Sequence, residues 1–142
     1  MIKFRNTIIP IFFLLGSYSI LNGQGTINEI TFLESEEFIN SYSLEVFAII
    51  LDTRPSGMYK KSRIDKAVNI ENTEALEAMA DSLDTETPLY MYCSTQTRST
   101  SVANFLKDKG FSRLYVLEGG MMEWRRRDMP MDKKRLRKRE RK

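Results

Sequence analysis

The chain has 142 residues, a length that suits one domain and leaves no room for a second. Hydrophobic residues make up 42% and charged residues 29%, an ordinary globular balance that excludes wholesale disorder. With one cysteine and no histidine, an intramolecular disulfide, a cysteine-rich zinc site, histidine-dependent metal centres and Ser-His-Asp or Cys-His catalysis are all excluded, and the formal charge is +3.

From the N-terminus, Lys3 and Arg5 precede an apolar stretch over residues 8–15, and Gly16, Ser17, Ser19, Asn22 and Gly23 follow it. This is the three-part layout of a secretory signal peptide. The apolar stretch is shorter than the ~20 residues a membrane span needs. Residues 1–23 are therefore read as an export signal cleaved after Gly23, with an uncleaved anchor as the alternative. Either way the domain is expected in the periplasm or cell envelope.

The next segments alternate between strand and helix. A short strand is expected over 27–31, a helix with apolar Leu33, Phe38 and Ile39 over 33–42, and a buried strand over 47–51 that ends at Asp52-Thr53-Arg54-Pro55. Lys60, Lys61, Arg63 and Lys66 form a basic cluster ahead of a strand at 67–70; it reads as a solvated face or as an attractor of anions at a site mouth. Leu76, Met79, Ala80 and Leu83 give residues 74–83 a helical period. Residues 89–93 are an apolar strand, 99–109 an amphipathic helix that Gly110 can cap, and 114–117 the last strand. A short helix carrying Trp124, read as core, closes the domain. Arg125, Arg126 and Arg127 read as its exposed end.

The end of the chain differs from the rest. Residues 133–142 hold eight basic residues and one acid, whereas residues 24–132 hold 12 basic and 18 acidic residues, a net charge of −6. The division expected is a domain over 24–131 and a basic tail over 132–142. The tail is too polar to bury. It reads as a solubilising extension or as a segment attracted to an anionic membrane surface, and the export signal argues against nucleic acid as its partner.

Strands apolar on both faces and separated by helices imply an α/β fold, a parallel sheet of about five strands with helices on both faces. Ligands of such sheets bind at the carboxyl ends of the strands. One of those ends carries the only cysteine, in Cys93-Ser94-Thr95-Gln96-Thr97-Arg98-Ser99. A buried strand-end cysteine can be a small hydrophobe. The polar loop after it supports a second reading. Curled loop amides, the positive end of the next helix and the Arg98 cation would each favour thiolate over thiol, which makes a nucleophile without histidine.

Several segments resemble the rhodanese-like domain family, single-domain sulfurtransferase type, in order and spacing. Ile49 to Arg54 resembles the family's strand ending in Asp-Val-Arg. Ile64 to Ile70 resembles its His-Ile-x-Gly-Ala-x-Asn-Ile segment. Pro88 to Cys93 with Arg98-Ser99 resembles its active-site strand and loop, and Gly110-Phe111 through Leu117-Glu118-Gly119-Gly120 and Trp124 its C-terminal signature. The resemblance covers about residues 27–131. It implies that Cys93 takes sulfane sulfur from a donor such as thiosulfate or a persulfide, becomes a persulfide, and passes the sulfur to a thiophilic acceptor. Ser94, Thr95, Gln96, Thr97 and Ser99 would supply the sulfur-binding loop. Arg98 would orient that loop or bind the anionic donor, and Asp52 and Arg54 would brace the loops around it. No metal or cofactor is implied. A small sulfur donor and a thiol acceptor are implied. Separately, an exported thiolate is open to oxidation, so a reductant or a protein thiol partner is expected.

Two related readings share the fold. In cysteine phosphatases and arsenate reductases the loop arginine stands one residue further on, in a larger cradle; here four residues separate Cys93 from Arg98. The family often has glycine where Gln96 stands, and Ser62-Arg63-Ile64 and Lys66 also depart from its pattern. These departures motivate the alternative of a catalytically weak binding or redox-sensing module.

Overall fold

The computed structural model describes residues 29–133. The export signal expected over 1–23 and the basic tail after Lys133 lie outside the described residues. Five parallel strands form one sheet in the order β1-β5-β4-β2-β3, with β1 Ile30–Leu33, β2 Ile49–Asp52, β3 Val68–Asn69, β4 Leu89–Tyr92 and β5 Leu114–Leu117. Four helices connect them, α1 Ser35–Leu44, α2 Ser56–Lys61, α3 Thr73–Ser82 and α4 Thr97–Asp108, and α5 Gly120–Arg126 follows β5.

The period-two alternation of each strand splits the core into two layers. Leu89 and Met91 of β4, Leu51 of β2 and Leu114 and Val116 of β5 point to one face, where Leu76 and Ala80 of α3 and Ala103 and Leu106 of α4 cover them. Tyr90 and Tyr92, Ile50 and Leu117 point to the other face, under Phe38 of α1 and Met121 and Trp124 of α5. All four residues of β4 are buried, as a central parallel strand requires. The aromatic layer interlocks. Phe38 meets Tyr90 and Trp124 edge-on, and Tyr90 stacks on Tyr115 with ring centroids 4.5 Å apart.

Local chemistry sets the helix ends. Asn72 caps α3 by accepting from the Ala75 amide at 2.9 Å. After α4, Gly110 takes φ +93 and its amide donates to the Lys107 carbonyl, while Phe111 N–H reaches back to Leu106, a left-handed C-terminal closure.

Several expectations need adjusting. Leu33, expected in the first helix, ends β1, and α1 runs Ser35–Leu44. Phe47, expected to open a buried strand, is exposed ahead of β2, which begins at Ile49. The first strand runs from Ile30 to Leu33 rather than over 27–31, because its register is fixed by pairing with Leu114–Leu117. An additional helix, α2, follows Pro55. It is six residues long and buries none of them, so it leaves no apolar period in the sequence. The basic cluster is not one face. Lys60, Lys61 and Lys66 are exposed, but Arg63 is buried, paired with Asp132 and lying over the Tyr59 ring. Arg63 and Asp132 also exchange backbone bonds of 3.0 and 2.9 Å, so the chain is still tied to the domain at Asp132.

Candidate active site

Cys93 follows the last residue of β4, and the chain turns back over it to start α4 at Thr97. The thiol is nearly buried, at 4% exposure. The Gln96 amide donates to Sγ at 3.1 Å, and the Ser99 hydroxyl lies 3.7 Å from it. Burial is the largest single influence on this thiol and works against the thiolate. The amides of Ser99 and Thr95, the Ser99 hydroxyl and the Gln96 amide together outweigh it and hold the thiol below its ordinary value. The cradle is thus made of backbone dipoles and one hydroxyl. They are preorganised donors that can stabilise a thiolate, or a second sulfur anion beyond it, without a fixed cation in contact.

Arg98 takes a different place from a sulfur partner. It donates from Nη1 to the Thr53 carbonyl at 3.1 Å, which ties the start of α4 to the end of β2, and its side chain lines the pocket above Cys93. That pocket has a volume of about 510 Å³. Pro55 and Met58 wall it on the α2 side, and Thr97, Arg98 and Ser101 on the α4 side. Thr97 and Thr95 are exposed there, and Ser94 is half-buried with its hydroxyl 3.7 Å from the Met58 sulfur.

Gln96 holds the loop at both ends. Its backbone sits at φ +139, a region that favours glycine. Its carbonyl accepts from the Thr100 amide and from the hydroxyls of Ser99 and Thr100. Its side-chain Oε1 accepts from the Gly119 amide at 3.0 Å. Next to it, Gly119 and Gly120 take φ +65 and +56, and α5 begins against the loop. The amides of Met121 and Met122 donate to the carbonyls of Cys93 and Ser94 at 2.9 and 3.0 Å. A Cβ on Gly120 would come within 2.6 Å of the Cys93 carbonyl oxygen, so only glycine allows this approach.

Asp52 and Arg54 form a buried ion pair beneath the pocket. Arg54 Nε bonds both carboxylate oxygens at 2.9 and 3.1 Å, and Nη2 bridges Oδ2 at 2.5 Å and the Ser62 carbonyl at 2.7 Å. Tyr92 donates its hydroxyl to Asp52 at 2.7 Å and accepts from the Ile64 amide. Burial and then Asp52 push the Tyr92 phenol well above its ordinary value. Asn69 closes the set by donating to the carbonyls of Asp52 and Arg54. This network joins β2, β3, β4 and the segment after α2 around the loop. With every partner satisfied, it fixes geometry more than it adds stability.

The sequence reading did not single out Met58, Pro55 or Ser101 as pocket walls, nor the contact of α5 with the loop. Met58 belongs to the helix that has no buried face. The bond from Gly119 to Gln96 spans 23 residues, beyond the reach of any local pattern.

Comparison with known proteins gives a consistent picture. The family model of the rhodanese-like domain matches residues 34–127. A thiosulfate sulfurtransferase GlpE of Coxiella burnetii is 29% identical over 97 residues, covering 68% of this chain and 86% of that protein. A probable molybdopterin-synthase adenylyltransferase of Porphyra purpurea is 32% identical over 93 residues, 65% of this chain; the match spans only 23% of that longer protein. Among solved structures, the rhodanese-like domain of an Anabaena protein superposes with a TM-score of 0.65 at 19% identity, covering 80% of this chain and 86% of that one.

Proposed function

Because this chain belongs to the rhodanese-like domain family, we propose that it is a sulfurtransferase that carries sulfane sulfur on Cys93. The observation that carries the reading is the amide-lined sulfur at the end of β4, held below its ordinary pKa and open to a pocket. In the first half-reaction the Cys93 thiolate attacks the outer sulfur of a donor such as thiosulfate. The donor's S–S bond breaks, sulfite leaves with the bonding pair, and Cys93 becomes a persulfide anion. In the second, an acceptor thiolate attacks the terminal sulfur and Cys93 departs as the thiolate. Charge is conserved in each step, and the cradle faces an anion throughout, which is the situation fixed dipoles serve well.

In this reading Thr95, Gln96 and Ser99 hold the sulfur, while Ser94, Thr97 and Arg98 shape the donor's pocket. Asp52 and Arg54 keep the surrounding loops in place. Four residues between Cys93 and Arg98 favour sulfur transfer over phosphoryl transfer. Export to the periplasm or cell envelope, a small sulfur donor, a thiol acceptor or protein thiol partner, and attraction of the basic tail to an anionic membrane belong to the same proposal. They rest on the terminal sequences and on the chemistry of an exposed thiolate.

The test is the intact mass of the purified protein after incubation with thiosulfate or a persulfide donor. A gain of one sulfur atom is expected, absent in Cys93→Ser and reversed by cyanide or a thiol. No gain from either donor, in folded protein with a free thiol, overturns sulfur transfer in favour of a binding or redox-sensing module.

A further inference from the structure

A second recess, of about 230 Å³, adjoins the Cys93 pocket. The two share Arg54, Met58 and Ser94 as a common wall, and the second is completed by Lys61 of α2 and by Met121, Met122 and Arg125 of α5. Arg54 is committed to Asp52. At the end of α5, Arg126 pairs with Glu123, and Arg127 pairs with Glu34, Glu36 and Glu123. Arg125 has no carboxylate partner among the described residues; its one bond is to the Ser62 hydroxyl at 3.0 Å. Lys61 is exposed and also makes no ion pair among the described residues. Two uncompensated cations thus flank one recess beside the nucleophile, in a domain segment whose net charge is −6. Met58 and Met122 line the same recess and are 49% and 66% exposed. Their thioethers are apolar, polarisable and adaptable.

We infer that this recess is an acceptor subsite for an aliphatic thiol bearing a carboxylate. The inference rests on the sulfurtransferase reading and names the substrate class of its second half-reaction. The carboxylate would lie between Lys61 and Arg125, the methylene stem against Met58 and Met122, and the thiol would reach over Ser94 toward Cys93. The donor leaves before the acceptor arrives, so the Cys93 pocket receives the reacting ends of both. Only the longer partner needs a place for its stem and distal charge. In the transfer the acceptor thiolate forms a bond to the terminal sulfur of the Cys93 persulfide. The inner S–S bond breaks, its electron pair returns to Cys93, and the acceptor leaves as its own persulfide anion. Local cations also offset the repulsion between an anionic acceptor and an anionic persulfide.

The experiment loads full-length protein with thiosulfate and measures its discharge by 3-mercaptopropionate, 2-mercaptoethanol and cysteamine, which are anionic, neutral and cationic at their distal ends. After correction for each thiol's own reactivity, kcat/KM is expected to favour the anionic thiol over the neutral one by about tenfold, the ratio that ~1.4 kcal/mol of charge preference produces. Rising salt should erase that ratio in the unmodified protein. The exposed-site double change Lys61→Glu with Arg125→Glu should move the preference to cysteamine. Equal corrected discharge by the three thiols, or a preference untouched by salt, overturns the subsite. A protein that never loads sulfur overturns the reading beneath it, a separate outcome seen in the mass before any acceptor is added.

Discussion

Three described residues with side chains, Lys66, Gln96 and Asp128, stand in backbone conformations that glycine adopts freely, and the structure treats the first two differently. Lys66 takes φ +61 in a turn closed by the Ala67 amide on the Ile64 carbonyl, and its exposed side chain has no partner among the described residues. Left-handed backbone costs a side-chain-bearing residue about 1–2 kcal/mol. Part of that gain would be offset by the greater freedom of glycine in the unfolded chain. Lys66→Gly is therefore expected to raise stability by roughly 0.5–1 kcal/mol in urea unfolding. Gln96, at φ +139, has a return for its strain, the bond from the Gly119 amide to its Oε1. Gln96→Gly relieves the backbone but releases the loop from α5. We expect stability to stay within about 1 kcal/mol of the parent, because the two effects oppose each other. The thiol should rise toward its ordinary pKa, read as an upward shift in the midpoint of alkylation rate against pH. An unchanged midpoint would show that the side chain does not hold the cradle. Cys93 was legible as a candidate because a polar loop after a buried strand is poor core material. The partners of Gln96 were not legible, since they come from a distant turn.

Among the elements, α5 contributes most to the site for its length. Its seven residues begin at Gly120, whose α-carbon faces the loop so closely that a Cβ would meet the Cys93 oxygen and the Ser94 and Thr95 backbone. Gly120→Ala should cost at least about 1–2 kcal/mol through its φ of +56 alone. It should also slow Cys93 alkylation or sulfur loading in the fraction that folds, as the helix is pushed off the loop. A folded variant with parental thiol reactivity would count against the role of this contact. The sequence marked α5 through Trp124 and the paired glycines, and it marked β5 and the body of β4, where apolar runs are continuous. It missed α2, which has no buried face, and it placed β1 early, because an edge strand's limits follow its neighbour's register rather than its own pattern. The family resemblance supplied the chain order of the site segments. Periodicity alone gave a covered parallel sheet with no reason to prefer one strand end.

Across the whole molecule, the network of Asp52, Arg54 and Tyr92 links the sheet to the segment after α2, and it should govern behaviour at high pH. The Tyr92 phenol is raised in the folded state, so folded Tyr92 stays protonated where the unfolded tyrosine ionises. Its contribution to stability is complete below the ordinary tyrosine pKa of about 10 and is lost as pH climbs above that value. Tyr92→Phe should lower stability at neutral pH by about 1–3 kcal/mol, by leaving the buried Ile64 amide without its acceptor and removing one of the bonds to Asp52 Oδ2, which keeps those from Arg54. It should also flatten the decline in melting temperature between neutral and strongly alkaline pH. A parental slope in the variant would assign alkaline sensitivity elsewhere. The bonds from Met121 and Met122 to the carbonyls of Cys93 and Ser94 have a further consequence, best seen in terms of hydrogen exchange. To expose those two amides to solvent, the first turn of α5 must lift, and lifting it removes the outer support of the amides that face the sulfur. Solvent access to the helix and loss of the sulfur's cradle are then a single opening event, with one free energy and one lifetime.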